Sequence, residues 1–173
     1  MNVLPRAGLA VLISLGGISA PSARAAESTL CTYSHDVELL PGLDITGSAG
    51  TLRNLAGTLD CDGSFLGIVP TGPGRFVDSG RYGTSDPDTC VGGGELAGVV
   101  EFTFPTAQGP KYVRTPYTGV FGGLSDSPTE GPLAGRIDGA GWTADAHVTP
   151  LIGDCVSHPI TLVRDVGTFV ARP

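Results

Sequence analysis

From Leu30 onward, apolar and polar residues alternate in short runs, and each run ends in a cluster of turn-forming residues. Alternation with period two marks a strand that turns one face to a core and the other to solvent. Eight such runs are expected to be strands: about Leu30–Leu40, Gly50–Asp60, Gly74–Gly83, Glu95–Phe104, Lys111–Phe121, Leu133–Gly139, Trp142–Thr149 and Ile160–Ala171. In the first, Cys31, Tyr33, His35, Val37 and Leu39 share a face; in the third, Phe76, Asp78, Gly80 and Tyr82 do. The seventh sets Trp142, Ala144, Ala146 and Val148 against Thr143, Asp145, His147 and Thr149. Pro41-Gly42, Asp62-Gly63, Gly72-Pro73-Gly74, Gly92-Gly93-Gly94, Gly122-Gly123 and Gly139-Ala140-Gly141 punctuate the runs, as turns require.

No stretch of helical period survives the 27 glycines and 14 prolines, residues that break helices. Glycines inside strands, such as Gly98, Gly119 and Gly135, imply strong bending. The expected fold is therefore all-β: an antiparallel up-and-down barrel, or a tightly curved sandwich, of about eight strands.

The first 25 residues read differently. Arg6 precedes the apolar run Leu9–Leu15, and Ala23-Arg24-Ala25 follows. This is the order of a secretory signal peptide, with cleavage expected before Ala26. The apolar run is too short to span a bilayer, so no membrane span is expected. Residues 26–173 then form a single domain that is secreted and extracellular. No sorting motif follows Arg172-Pro173, so free release is expected. The chain carries a net charge of −7, and the leader holds two basic residues and no acidic one. The remaining domain is more acidic still and should be repelled by nucleic acid and anionic lipid. Lys111 is the sole lysine, which fits the codon bias of a GC-rich genome.

Cys31, Cys61, Cys90 and Cys155 form an even set in an exported chain, so two disulfides are expected. In an eight-strand meander, the start of strand one and the end of strand two lie together. The start of strand four and the junction of strands seven and eight meet at the opposite end. Pairing Cys31 with Cys61 and Cys90 with Cys155 is the connectivity that keeps each bridge at one end. No C-x-x-C pair or zinc-type histidine spacing occurs, so neither a metal nor a cofactor is expected.

The residues Cys31–Gly42, Gly57–Cys61, Gly80–Gly83, Cys90–Glu95 and Gly153–Cys155 resemble a group of uncharacterised small secreted actinobacterial β-proteins with two disulfides. The resemblance implies secretion and a β fold. It brings no activity and no catalytic residues.

The candidate chemistry is sparse. No G-x-S-x-G elbow occurs, and Asp145 with His147 is the best acid–base pair, two apart on one strand face. Asp60-Cys61-Asp62-Gly63 and Asp86-Pro87-Asp88 look like calcium loops but lack further ligands, so they read as turns. His158 precedes Pro159 in an extended linker, whereas His35 is expected to point inward as a hydrogen-bonded core residue. Trp142, Tyr33, Tyr82, Tyr112, Tyr117 and Phe121 either fill the core or line a barrel mouth. The leading expectation is a non-enzymatic exported β-domain that binds a small ligand or an extracellular partner. Trp142, Tyr33, His35 and Tyr117 are the candidate contacts. An extracellular hydrolase using Asp145 and His147, and a secreted protease inhibitor, are the competing expectations.

Overall fold

The computed structural model describes residues 28–54, 56–122 and 133–172. The predicted leader, residues 1–25, lies outside them. Nine strands follow in order: β1 (Thr29–Leu43), β2 (Gly50–Asn54), β3 (Gly57–Cys61), β4 (Gly74–Tyr82), β5 (Gly94–Phe104), β6 (Lys111–Phe121), β7 (Leu133–Gly139), β8 (Trp142–Ile152) and β9 (Ile160–Ala171). Each pairs antiparallel with its neighbours, and β1 also pairs with β9 from Thr29↔Ala171 to Glu38↔Leu162. The sheet thus closes on itself, leaving no open edge among the described strands.

β2 and β3 occupy one place in the wall, both lying between β1 and β4. The single second strand expected over Gly50–Asp60 is therefore two pieces, and the closed barrel has eight staves. Leu52 and Asn54 point inward in β2, whereas Gly57 and Leu59 do so in β3. One extra residue enters between them, the register shifts by one, and the inward parity reverses. The side-chain amide of Asn54 turns inward and donates to the carbonyl of Phe76 at 3.3 Å.

The interior has three layers. At one end, Tyr33, Leu59, Phe76, Phe102, Phe104, Trp142 and Phe169 form an aromatic cluster beside Cys31. Phe65, from the loop after β3, is fully buried 4.9 Å from Phe102 and 5.2 Å from Phe104, and it plugs that end. At the other end, Val37, Leu43, Leu52, Tyr82, Ile160 and Val163 pack around Cys90 and Cys155. Between them the inward positions of β1, β4 and β9 carry His35, Asp78 and Asp165. The disulfides join Cys31 to Cys61 and Cys90 to Cys155, one at each end, as the meander requires. Two such cross-links suit an oxidising environment.

Glycines make room for this crowded interior. Tyr33 pairs across the sheet with Gly167, Tyr117 with Gly98, Phe76 with Gly57 and Trp142 with Gly139. In each pair the ring lies over the glycine, where a β-carbon would collide with it. Cross-strand aromatic cover of a strand glycine is a known way to bend a sheet without leaving a void.

The outer wall is polar. Glu38 opposes Arg53, Asp36 opposes Arg164 and Glu101 opposes Arg114 in direct cross-strand register, with ion pairs of 2.6, 2.8 and 3.1 Å. Tyr112, expected in the core or at the mouth, instead points outward and is largely exposed. It is the first inward-or-outward choice after the turn into β6, where Val113 takes the inner face. Among the described residues no helix is long and apolar enough to cross a membrane.

Adding one carbon at Gly139 tests the glycine–aromatic packing. A β-carbon there would sit 1.9 Å from Cε2 of Trp142, whereas one at Gly72 meets nothing closer than 3.9 Å. Gly139→Ala is expected to destabilise the fold by about 2–3 kcal/mol and to shift the emission of the single tryptophan. Gly72→Ala should change neither. Urea unfolding followed by fluorescence measures both.

Candidate functional site

The middle layer supplies the chemistry. His35 on β1 and Asp165 on β9 are direct cross-strand partners, so closure of the barrel places the imidazole against the carboxylate. Their atoms Nε2 and Oδ2 are 3.0 Å apart. The Tyr33 hydroxyl donates to Oδ1 of Asp165 at 3.1 Å. On the far side of the ring, Nδ1 of His35 is 3.8 Å from Oδ1 of Asp78, too far for a hydrogen bond. The Tyr117 hydroxyl donates to Oδ2 of Asp78 at 3.0 Å. One imidazole thus stands between two carboxylates, and each carboxylate is held by one tyrosine.

Burial governs the ionisation of this cluster. It pushes the Asp78 carboxyl above the usual carboxylate range, more than His35 and the Tyr117 hydrogen bond pull it down. Burial, followed by the nearby aspartates, also pushes the phenols of Tyr33 and Tyr117 far up. Both tyrosines therefore remain donors at any ordinary pH. Two polar atoms of the cluster, His35 Nδ1 and Asp78 Oδ1, have no hydrogen-bond partner, an arrangement rare in protein interiors.

The cluster forms the polar end of a cavity of about 100 Å³, where a single water needs roughly 10–15 Å³. Its walls are apolar: Val37, Leu39, Leu43, Leu52, Val148 and Val163. His35, Asp78, Asp165 and Tyr117 contribute its polar surface, along with Tyr82. The Tyr82 hydroxyl is already spent on the carbonyl of Pro41. A larger hollow of about 600 Å³ lies on the outer wall, around Leu40, Thr51, Arg53 and Ile152, but it contains no buried charged group.

Of the four candidate contacts, His35 and Tyr117 line this cavity. Tyr33 stands behind it, holding Asp165. Trp142 lies in the aromatic layer, stacked edge-on with Phe102 and Phe169, and reaches only a small void of about 20 Å³. Asp78 and Asp165 are the site residues that pattern reading did not nominate. The signal for Asp78 was its place on the inward face with Phe76 and Tyr82; Asp165 alternates likewise with Val163 and Phe169.

Asp145 and His147 sit exposed on the outer face of β8, and no hydrogen bond joins their side chains. His158 is exposed beside Asp154, whose carboxylate caps the amides of Val156, Ser157 and His158. Asp88, from the calcium-like Asp86-Pro87-Asp88, is buried and spent on the amides of Gly83 and Glu95, at 2.7 and 3.1 Å. That segment is a turn brace.

The raised ionisation of Asp78 couples to stability. The folded state holds this proton more tightly than the unfolded chain does. The group therefore favours folding most in acid and loses that contribution as pH rises through its folded pKa. Asp78→Asn removes the buried ionisation while keeping an acceptor for Tyr117. It is expected to stabilise the protein at pH 7 by about 1–3 kcal/mol. The gain should vanish below about pH 4, where the native carboxyl is protonated in both states. Denaturant midpoints across pH measure it.

No protein-family model matches this chain, and no curated protein or solved structure matches it at a significant level.

Proposed function

We propose that the protein is an exported, non-enzymatic barrel that binds one small amphipathic molecule inside its sheet. One observation carries this reading: an apolar cavity of about 100 Å³ ends on a buried group of His35, Asp78, Asp165 and Tyr117. Small-molecule sites combine such walls with a few convergent polar groups that fix orientation. A core built for stability alone gains little from this layer. Burying two carboxylates and an imidazole costs several kcal/mol unless each is fully paired, and two of their atoms are unpaired. The aromatic layer beneath, plugged by Phe65, serves as a rigid base.

The leader-like segment ahead of the domain and the two disulfides support export. Expression in a secreting host should yield a protein whose amino terminus is Ala26, as Edman or mass analysis would report. Retention of residues 1–25 in the released protein would remove this part of the reading.

Binding is tested with 1-hexanol as the probe, followed by amide chemical shifts. Residues lining the cavity, among them Val37, Leu52 and Val163, should shift together and saturate. Leu52→Phe and Val148→Phe each fill part of the cavity, and each is expected to weaken binding at least tenfold, about 1.4 kcal/mol. Unchanged tryptophan emission would show that the fold is intact. Equal binding by both folded variants would sink the proposal.

A further inference from the structure

The polar end of the cavity restricts what the cavity can hold, given the ligand-binding reading on which this inference rests. Nε2 of His35 lies 3.0 Å from a carboxylate oxygen of Asp165. That oxygen only accepts, so Nε2 carries the hydrogen, and in the neutral ring Nδ1 is then an acceptor. Nδ1 has no partner, and neither does Oδ1 of Asp78, 3.8 Å away. The His35 side chain is 6% exposed and faces the cavity. Two atoms without a partner thus stand side by side: the ring nitrogen, an acceptor, and a carboxyl oxygen that is an acceptor whenever Asp78 is ionised.

Ligand head groups differ in what they bring to this pair. A carboxylate would add only acceptors and would set its own negative charge against the buried pair Asp78 and Asp165. No fixed cation would offset it, because every described Lys and Arg is exposed on the outside. A hydroxyl has one hydrogen to donate. A primary ammonium has three, with a positive charge, and one nitrogen can stand about 2.9 Å from both acceptors at once. We infer that the cavity takes a primary alkylammonium, with its nitrogen between His35 Nδ1 and Asp78 Oδ1 and its chain among Val37, Leu52, Val148 and Val163.

This arrangement predicts a proton linkage. Asp78 faces His35 on β1, Asn54 on β2, Tyr117 on β6 and Asp165 on β9, while its partner on β5, Val100, is apolar. With the cavity empty, burial favours the protonated Asp78 carboxyl. An adjacent ammonium favours the carboxylate. Binding therefore releases a proton from Asp78 and strengthens as pH rises, for as long as the amine stays charged, up to about pH 10.

The experiment is calorimetric titration of the purified oxidised protein with n-hexylamine, 1-hexanol and hexanoate, three probes with the same chain length. Hexylamine should bind about tenfold more tightly than hexanol, as one further charge-assisted hydrogen bond warrants, and hexanoate should be weakest. Hexylamine affinity should rise with pH through the raised ionisation of Asp78, with proton release seen as a dependence of the heat on buffer ionisation. Asp78→Asn should abolish the amine preference and the pH dependence and leave hexanol binding in place. If hexanol or hexanoate matches hexylamine, or Asp78→Asn keeps the preference, the ammonium assignment falls while the cavity reading stands. If none of the three binds, both fall.

Discussion

The pairing of β1 with β9 closes the sheet, and the rest of the molecule depends on the way it does so. Its register sets His35 opposite Asp165 and Tyr33 opposite Gly167. The closure removes the last open edge and in the same step draws an imidazole and a carboxylate out of water. Neither would be tolerated alone. A lone ionised side chain in a barrel interior costs far more than any one hydrogen bond returns, so the cluster must be assembled from several strands together. Asp78 from β4 and Tyr117 from β6 complete it from the opposite side. A shift of one residue in the β1–β9 register would reverse the faces of one of these two strands, and His35 and Asp165 would no longer meet.

The aromatic end and the cavity end divide the labour. Phe65, Phe76, Phe102, Phe104, Trp142 and Phe169 fill their half with interlocking rings, centroids roughly 5–6 Å apart. The glycines beneath Tyr33, Phe76, Tyr117 and Trp142 let the wall curve tightly enough for those rings to meet. The opposite half is built from smaller aliphatic side chains, which do not reach across the lumen, and the space they leave is the cavity. The disulfides clamp one end each. Each restricts the unfolded chain by an amount that loop-closure arguments put at about 3–4 kcal/mol.

Much of this was legible from alternation alone. Three strands, Lys111–Phe121, Leu133–Gly139 and Ile160–Ala171, have the limits that pattern reading assigned. The cysteine pairing followed from strand count, because a meander leaves only one connectivity with each bridge at a single end. The break between β2 and β3 escaped because one inserted residue reverses which side chains face inward, and period-two reading has no means of detecting a change of parity across a bulge. Tyr112 was misplaced for a related reason: hydrophobicity suggested the interior, but its position in the alternation of β6 is an outer one.

The sequence by itself determined the local order: which residues alternate, where turns interrupt them, which cysteines lie at which end, and that His35 and Asp78 belong to inward faces. Apart from the cysteines, whose ends follow from the number of strands, those properties depend on neighbours two to five residues apart, where steric preference and the strand pleat decide. Only the tertiary structure decided that His35, Asp78 and Asp165 share one site, because they are 43 and 130 residues from His35 along the chain and meet solely through ring closure. It also decided that Trp142 belongs to the packed base and not to the cavity. Face assignment says only that a side chain points inward; its height within the barrel depends on register, which the pairing of all the strands sets together.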